Sequence, residues 1–449
     1  MPVGSPGLPA EHESVGHAKG RYAARRAERA ASKGVRVGSS WCERLSWRRR
    51  GRSLLTATGA LALALALAAN SGASSAGPAA QWSVASLSEA RAALAGAAVG
   101  TKALFAGGLG ANGPSSVVDI YDAASGQWST ASLSEARWPL AAATVGTKAL
   151  FAGGVGAAGP SSAVDIYDAA NGQWSTASLS QPRWPPAAVT VGTKVLFAGG
   201  MAGYSPSGAV DIYDAASGQW STARLTQARW PLAAATVGTK ALFAGGLGVA
   251  GPSNAVDIYD AASGQWSTAA LSQARAGLAA TTVGSRVVFA GGNSATGWSD
   301  VADVYDAATG EWSAATLARA RGGLVATAIG GRALFAGGNP SYDVVDVYDG
   351  ASGRWSSAAL AVRRTGFVTT ATVGTTALFA GGSSGSYVPS GVVDLYDGAT
   401  DQWDRAALSQ PRAGPATATV GGKVLFAGGR GARDAPSDVV DVYDARNAP

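Results

Sequence analysis

The pattern of apolar and polar positions recurs along most of the chain, and one copy shows its form. The unit starting at Arg229 reads RWPLAAATVGTKALFAGGLGVAGPSNAVDIYDAASGQWSTAALSQA, 46 residues holding four apolar stretches. LAAATVG is small and mostly apolar, as befits a strand buried on both faces. KALFAGG runs into a pair of glycines. AVDIYDA alternates with the period of two that marks a strand, and QWSTA is short and begins on an aromatic. Gly-Thr-Lys between the first two stretches and Ala-Ser-Gly between the last two read as tight turns. Four antiparallel strands of this size make one blade of a β-propeller. The alanine-rich stretch is predicted to be innermost, where blades converge and large side chains would collide.

The unit repeats. Gly-Gly pairs begin at Gly107, Gly153, Gly199, Gly245, Gly291, Gly337, Gly381 and Gly428, at spacings of 46 five times, then 44, then 47. A Tyr-Asp pair follows each, at Tyr121, Tyr167, Tyr213, Tyr259, Tyr305, Tyr348, Tyr396 and Tyr443. Seven of these tyrosines have a tryptophan seven residues later, from Trp128 to Trp403. An arginine precedes each glycine pair by 16 or 17 residues: Arg91, Arg137, Arg183, Arg229, Arg275, Arg321, Arg364 and Arg412. The ends complete one another. Trp82 has no Tyr-Asp before it, and Tyr443 has no tryptophan after it. The stretch at 81–86 is therefore expected to supply the outer strand of the blade that begins at Arg412, closing the ring and removing its open edges. Residues 81–449 divide into eight blades of about 46 residues.

An apolar strand ending in Gly-Gly, then a tyrosine and a tryptophan separated by six residues, resembles the Kelch repeat. The resemblance covers residues 81–445. It implies an all-β, eight-bladed Kelch-type β-propeller with four antiparallel strands per blade. Six or seven blades are more usual in that family, so the blade number is a departure.

Composition agrees with many short strands and tight turns. Glycine stands at 62 residues, apolar types at 47 % and charged types at 14 %, too apolar for disorder and too glycine-rich for a helical protein. Charge is unevenly spread. Residues 1–80 hold 12 basic and 4 acidic residues, a net of +8, and the remainder holds 23 and 25, a net of −2. The repeat region thus lacks the basic stripe of a nucleic-acid surface, and no nucleic-acid partner is expected.

Residues 1–52 read as a basic, disordered leader, 53–69 as a hydrophobic signal or anchor helix, 70–80 as a small-residue linker, and 81–449 as the propeller. From Ser53 to Ala69 run seventeen residues without a charge, preceded by Arg48, Arg49, Arg50 and Arg52 and followed by small residues with candidate cleavage points after Ala68 or Ala76. Three readings are open: a signal peptide with an overcalled start, a two-part organelle signal, or an uncleaved signal anchor. The expected location is extracytoplasmic, secreted or membrane-anchored through 53–69, with an organelle lumen as the alternative.

Chemistry is limited by residue types. Cys42, His12 and His17 are the only cysteine and histidines, all in the leader. The repeats therefore offer no disulfide, no Ser-His pair and no zinc or haem ligand set, and no cofactor or metal is expected. Copper radical oxidases of the Kelch type, which use Tyr-Cys and histidine ligands, are excluded on the same ground. A carboxylate-based sugar enzyme, like the Kelch-type sialic-acid isomerising enzymes, remains as the alternative, although Glu89, Glu135 and Glu311 form no evident pair.

Eightfold residues read as structural. The glycine pairs let blades approach, the repeated Tyr and Trp pack between blades, and each arginine is expected to make a structural hydrogen bond or ion pair, for example with Asp119 or Asp165. Function belongs where the units differ. Three consecutive units carry Arg-Trp-Pro, which would set Trp138, Trp184 and Trp230 side by side on one rim, with Arg137, Arg183 and Arg229 beside them. A loop surface inherited through duplication is the other reading of that row. Tyr204, Trp298, Tyr342, Tyr387 and Arg430 are single-blade decorations. The expected function is a monomeric, non-catalytic binding or scaffold module that presents rim loops to a protein or glycan partner; a purely structural surface component is the remaining possibility.

Overall fold

The computed structural model describes residues 81–384 and 388–447, all within one compact unit, Ala73–Pro449. The basic leader, the hydrophobic segment, the linker and Tyr387 lie outside the described residues.

The described residues form eight four-stranded antiparallel blades. In blade 2 the strands are Ala141–Val145, Lys148–Ala152, Ala163–Asp168 and Gln173–Ser178, joined in chain order from inner to outer. Register follows the predicted pattern, with Leu150 opposite Ile166, Phe151 opposite Asp165, and Tyr167 opposite Trp174. The alanine-rich strands are innermost and touch one another around the ring. Threonines stitch some of them together: Thr190 Oγ1 donates to Thr144 O at 2.8 Å and Thr282 Oγ1 to Thr236 O at 2.7 Å.

Each blade has two unlike faces. Phe151, Tyr167 and Trp174 of blade 2 pack on Leu104, Val118 and Ile120 of blade 1, while Leu150, Val164 and Ile166 of blade 2 receive the aromatics of blade 3. The aromatic trio is itself in contact, with the Trp174 centroid 5.2 Å from Tyr167 and 6.3 Å from Phe151. The same aromatic-on-aliphatic interface joins blade 8 to blade 1, where Phe105, Tyr121 and Trp128 meet Leu425, Val440 and Val442. Burial of these side chains between blades, rather than within one central core, is the main apolar driving force of the ring.

Closure occurs by strand pairing. Trp82–Arg91 is the outer strand of blade 8, antiparallel to Ser437–Asp444, with Trp82 opposite Tyr443. The final blade is thus built from both ends of the repeat region, and the edge of its third strand is covered.

One departure from regularity was not expected. A single 19-residue strand, Trp355–Val373, is the outer strand of blade 6 and the inner strand of blade 7, so the two blades share one seven-stranded sheet. Elsewhere the connection breaks before the next inner strand. Here it stays extended through Arg363 and Thr365, and an irregularity between Thr365 and Val368 absorbs the extra residue, with Phe367 at φ 69°.

Candidate functional site

Because successive strands are antiparallel, the ring has two faces of different make-up. The turns between first and second strands, and between third and outer strands, lie on one face. The loops after the glycine pairs and the connections between blades lie on the other, and isolated bridges such as Trp184 to Met201 join them.

The turn face carries a circle of ion pairs. Lys148 and Asp168, Lys194 and Asp214, and Lys240 and Asp260 each link the start of the second strand to the end of the third. The ammonium and the neighbouring hydroxyl and amide donors hold Asp168 at about 2 and Asp260 at about 2, well below the usual carboxylate range. Where arginine replaces lysine the link reaches the next blade. Arg286 donates to Tyr348 Oη at 3.2 Å and Gly350 O at 2.8 Å, and Arg332 to Tyr396 Oη at 2.8 Å. A shallow recess between blades 3 and 4 on this face is lined by Thr193, Lys194, Thr239 and Ala261, among others.

Under the connection face, all eight repeated arginines are almost wholly shut off from water and ion-paired within the next blade. Arg137 donates to Asp165, and through Nη1 to Gly153 O at 2.6 Å and Ala163 O at 3.1 Å. The same carboxylate accepts the Ser134 backbone N–H at 2.8 Å. Arg183 reaches Asp211 at 2.5 Å, and Arg321 reaches Asp346 at 2.6 Å. Burial pushes every one of these guanidinium groups down, and the facing carboxylates pull against it. Arg137, Arg183 and Arg229, expected beside the tryptophans as binding residues, therefore stand inside the blades with 0 % exposure. They offer no group to the rim and fit the structural reading of the eightfold arginine instead.

The glycine pairs belong to this joint. A Cβ on Gly107 would come within 2.7 Å of Arg137 O and 2.8 Å of a Leu140 methyl, and φ is 60°. Gly108 N–H in turn donates to Arg137 O at 3.2 Å.

A second latch escaped the sequence reading. Two residues before the arginine, Glu89, Glu135, Gln181, Gln227, Gln273 and Gln410 accept from a serine beyond the glycine pair. Ser207 Oγ donates to Gln181 Oε1 at 2.8 Å and accepts from the Ala209 N–H at 3.1 Å. The partners are 26 or 27 residues apart, so only the recurrence of Glu or Gln together with Ser could have flagged them. This latch accounts for Glu89 and Glu135; Glu311 donates its N–H to Thr309 in an exposed turn.

Above these joints, the face differs from one half to the other. The residue after the glycine pair is Leu109, Val155, Met201 and Leu247 in blades 1–4, and Asn293, Asn339, Ser383 and Arg430 in blades 5–8. Trp138, Trp184 and Trp230 bridge to Val155, Met201 and Leu247 and are half-buried. Trp184 and Trp230 are in contact, with centroids 5.8 Å apart and planes at 53°. Tyr204, at the tip of the blade 3 loop, is 102 % exposed, and Val249, at the tip of the blade 4 loop, is 90 % exposed. Trp298 is 38 % exposed and leans over Gly322 at the entrance to blade 6. Tyr342 pairs with Arg364 at the base of the blade 6 loop, and Arg430 pairs with Asp434 at 3.5 Å. The structure thus joins Trp184 to Trp230 and sets Tyr204 on the same pair of blades, while Trp298 belongs to blade 5.

The eight inner strands consist of Ala, Gly, Val, Ile and Thr. The buried ion pairs among the described residues are the arginine–aspartate joints, and these are eightfold. Neither any model of a known protein family nor any curated protein matches the chain.

Proposed function

We propose that this chain is a Kelch-type propeller that works as a non-catalytic, extracytoplasmic binding module, using the connection face of blades 2–4. The observation that carries the reading is the contrast between the two halves of that face. Similar arginine–aspartate joints lie beneath all the blades. Exposed apolar side chains occur on both halves, Tyr204 and Val249 in blades 3 and 4 and Trp298 and Val388 in blades 5 and 7. Only in blades 2–4, however, does an apolar residue follow the glycine pair with a tryptophan bridged to it. Exposed apolar groups that cluster, rather than scatter, mark contact surfaces. The Gly-Gly, Tyr and Trp spacing supports the Kelch assignment, and the arginine cluster followed by the charge-free stretch 53–69 supports export or anchoring.

The test compares the full-length chain with the triple variant Trp138→Ala, Trp184→Ala, Trp230→Ala in pull-down and glycan-array screens. Loss of the captured partner with an unchanged circular dichroism spectrum is expected. Equal capture by the triple variant overturns the assignment of this face.

A further inference from the structure

We infer that the Trp184–Trp230 pair is a platform for an uncharged oligosaccharide, a conclusion that rests on the binding-module reading above and narrows it. Three observations combine. First, the two indoles touch at 5.8 Å, so they form one continuous bent surface rather than a slot. Such a surface suits a ring laid flat on it, with the C–H groups of a pyranose against the π-faces.

Second, the glutamine amides on the other arms of the loops that the two indoles hold are oriented. Ser207 Oγ accepts from the Ala209 N–H and donates to Gln181 Oε1, and Ser253 treats Gln227 in the same way, accepting from Ala255 at 3.1 Å and donating at 2.8 Å. The serines of blades 1 and 2 donate likewise to Glu89 and Glu135, which as carboxylates can only accept. With each carbonyl oxygen held inward, each –NH2 is turned outward and takes no partner among the described residues. Gln181 and Trp184 flank one and the same loop, the glutamine on the Ser207 arm and the tryptophan on the Met201 arm. Gln227 and Trp230 do so in blade 4. Two free amide donors on the loops that carry an aromatic pair match ring and hydroxyl oxygens.

Third, the loops that carry the platform are uncharged. The loops VGAAGPSS, MAGYSPSG and LGVAGPSN of blades 2–4 hold no charged residue, and the nearby Arg137, Arg183 and Arg229 are buried against carboxylates. Arg224, exposed at the end of the outer strand of blade 3, lies outside these loops, and the uronic-acid series below tests whether it recruits an acidic sugar. Glu135, one blade away, would repel such a sugar. An apolar peptide would use the indoles but would have no need of two oriented amide donors, and a protein partner is therefore the competing outcome.

The experiment is tryptophan fluorescence titration and calorimetry of the full-length chain with neutral hexose oligomers of two to six units. Uronic-acid oligomers of equal length serve as the charged control. Expected are binding that strengthens with length, no binding of the charged series, and an affinity loss of tenfold or more in Trp184→Ala and in Trp230→Ala. Trp230→Phe, which keeps an aromatic ring in the joint, guards against a folding defect and should lose several-fold. Gln181→Glu with Gln227→Glu, which keeps the serine's acceptor as Glu89 and Glu135 do and removes the amide donors, should lose several-fold with the thermal midpoint of the parent, and Trp298→Ala should bind as the parent does. Absence of binding to every neutral oligomer, or equal binding of the uronic series, overturns the inference. If a protein partner is then still lost in the triple tryptophan variant, the surface reading stands without the sugar. If binding survives that variant, the surface reading falls as well.

Discussion

Each blade holds a guanidinium away from water against an aspartate of its third strand, and the eight copies are not equally furnished. Arg137 Nη1 has two carbonyl partners, whereas Arg321 Nη1 has none. Removing one member of a buried pair leaves a desolvated charge and typically costs about 3–5 kcal/mol. Arg137→Met should cost that much in urea unfolding, Arg321→Met distinctly less, and Arg137→Met with Asp165→Leu should recover most of the loss. Equal losses at the two sites would mean that the carbonyl bonds contribute nothing. At the turn face, Asp260 is ionised down to about 2 in the folded ring and has the ordinary carboxylate value when unfolded. Its contribution is complete above the ordinary value of about 3.9 and is lost as pH falls toward 2. The thermal midpoint should therefore drop over that window, and Lys240→Met should flatten the drop.

At the level of strands, the repeat marks carried most of the information. The Gly-Gly, Tyr and Trp positions specify second, third and outer strands, and the unmatched Trp82 and Tyr443 foretold the closing pair. What stayed hidden depends on contacts between segments. The run through Arg363, Arg364 and Thr365 holds no proline, but neither does the connection through Arg321, which breaks, and nothing local says that this one continues as one strand. The serine latch spans 26 or 27 residues and a loop, beyond the reach of any strand periodicity. Similarly, the tryptophan row was legible as a row, while the contact of Trp184 with Trp230 in particular was not. Closure is the element to test. Deleting residues 1–91 exposes the edge of Ser437–Asp444 and leaves the Phe426 and Tyr443 face without Trp82. Such a chain should unfold at a lower urea midpoint with a broadened transition, and a peptide spanning 81–91 should restore the midpoint. A chain that unfolds as the parent does would show that the pairing adds little.

Across the whole ring, eight repeats of one interface mean that stability is approximately a sum of like terms between neighbours, as in other repeat proteins. Sequence identity among blades 1–4 is high, so differences in function should trace to the few positions that diverge. The connection face is where they diverge, which is why the binding tests above target it and not the conserved joints.

The aromatic-on-aliphatic joint is directional: it gives every blade a head and a tail, and such heterologous contacts generate a closed ring or an endless fibre according to whether the rotation closes. Here it closes after eight steps, a number divisible by two. A fragment of residues 81–261 contains a leading outer strand and a trailing incomplete blade 4, ending on Ala255–Asp260. Two such halves could lend each other the missing strand, as Trp82 does for Tyr443 in the parent. Light scattering should then report a dimer twice the mass of the half, with the circular dichroism of the full ring. A monodisperse monomer would show that the second half of the chain is needed to set the curvature.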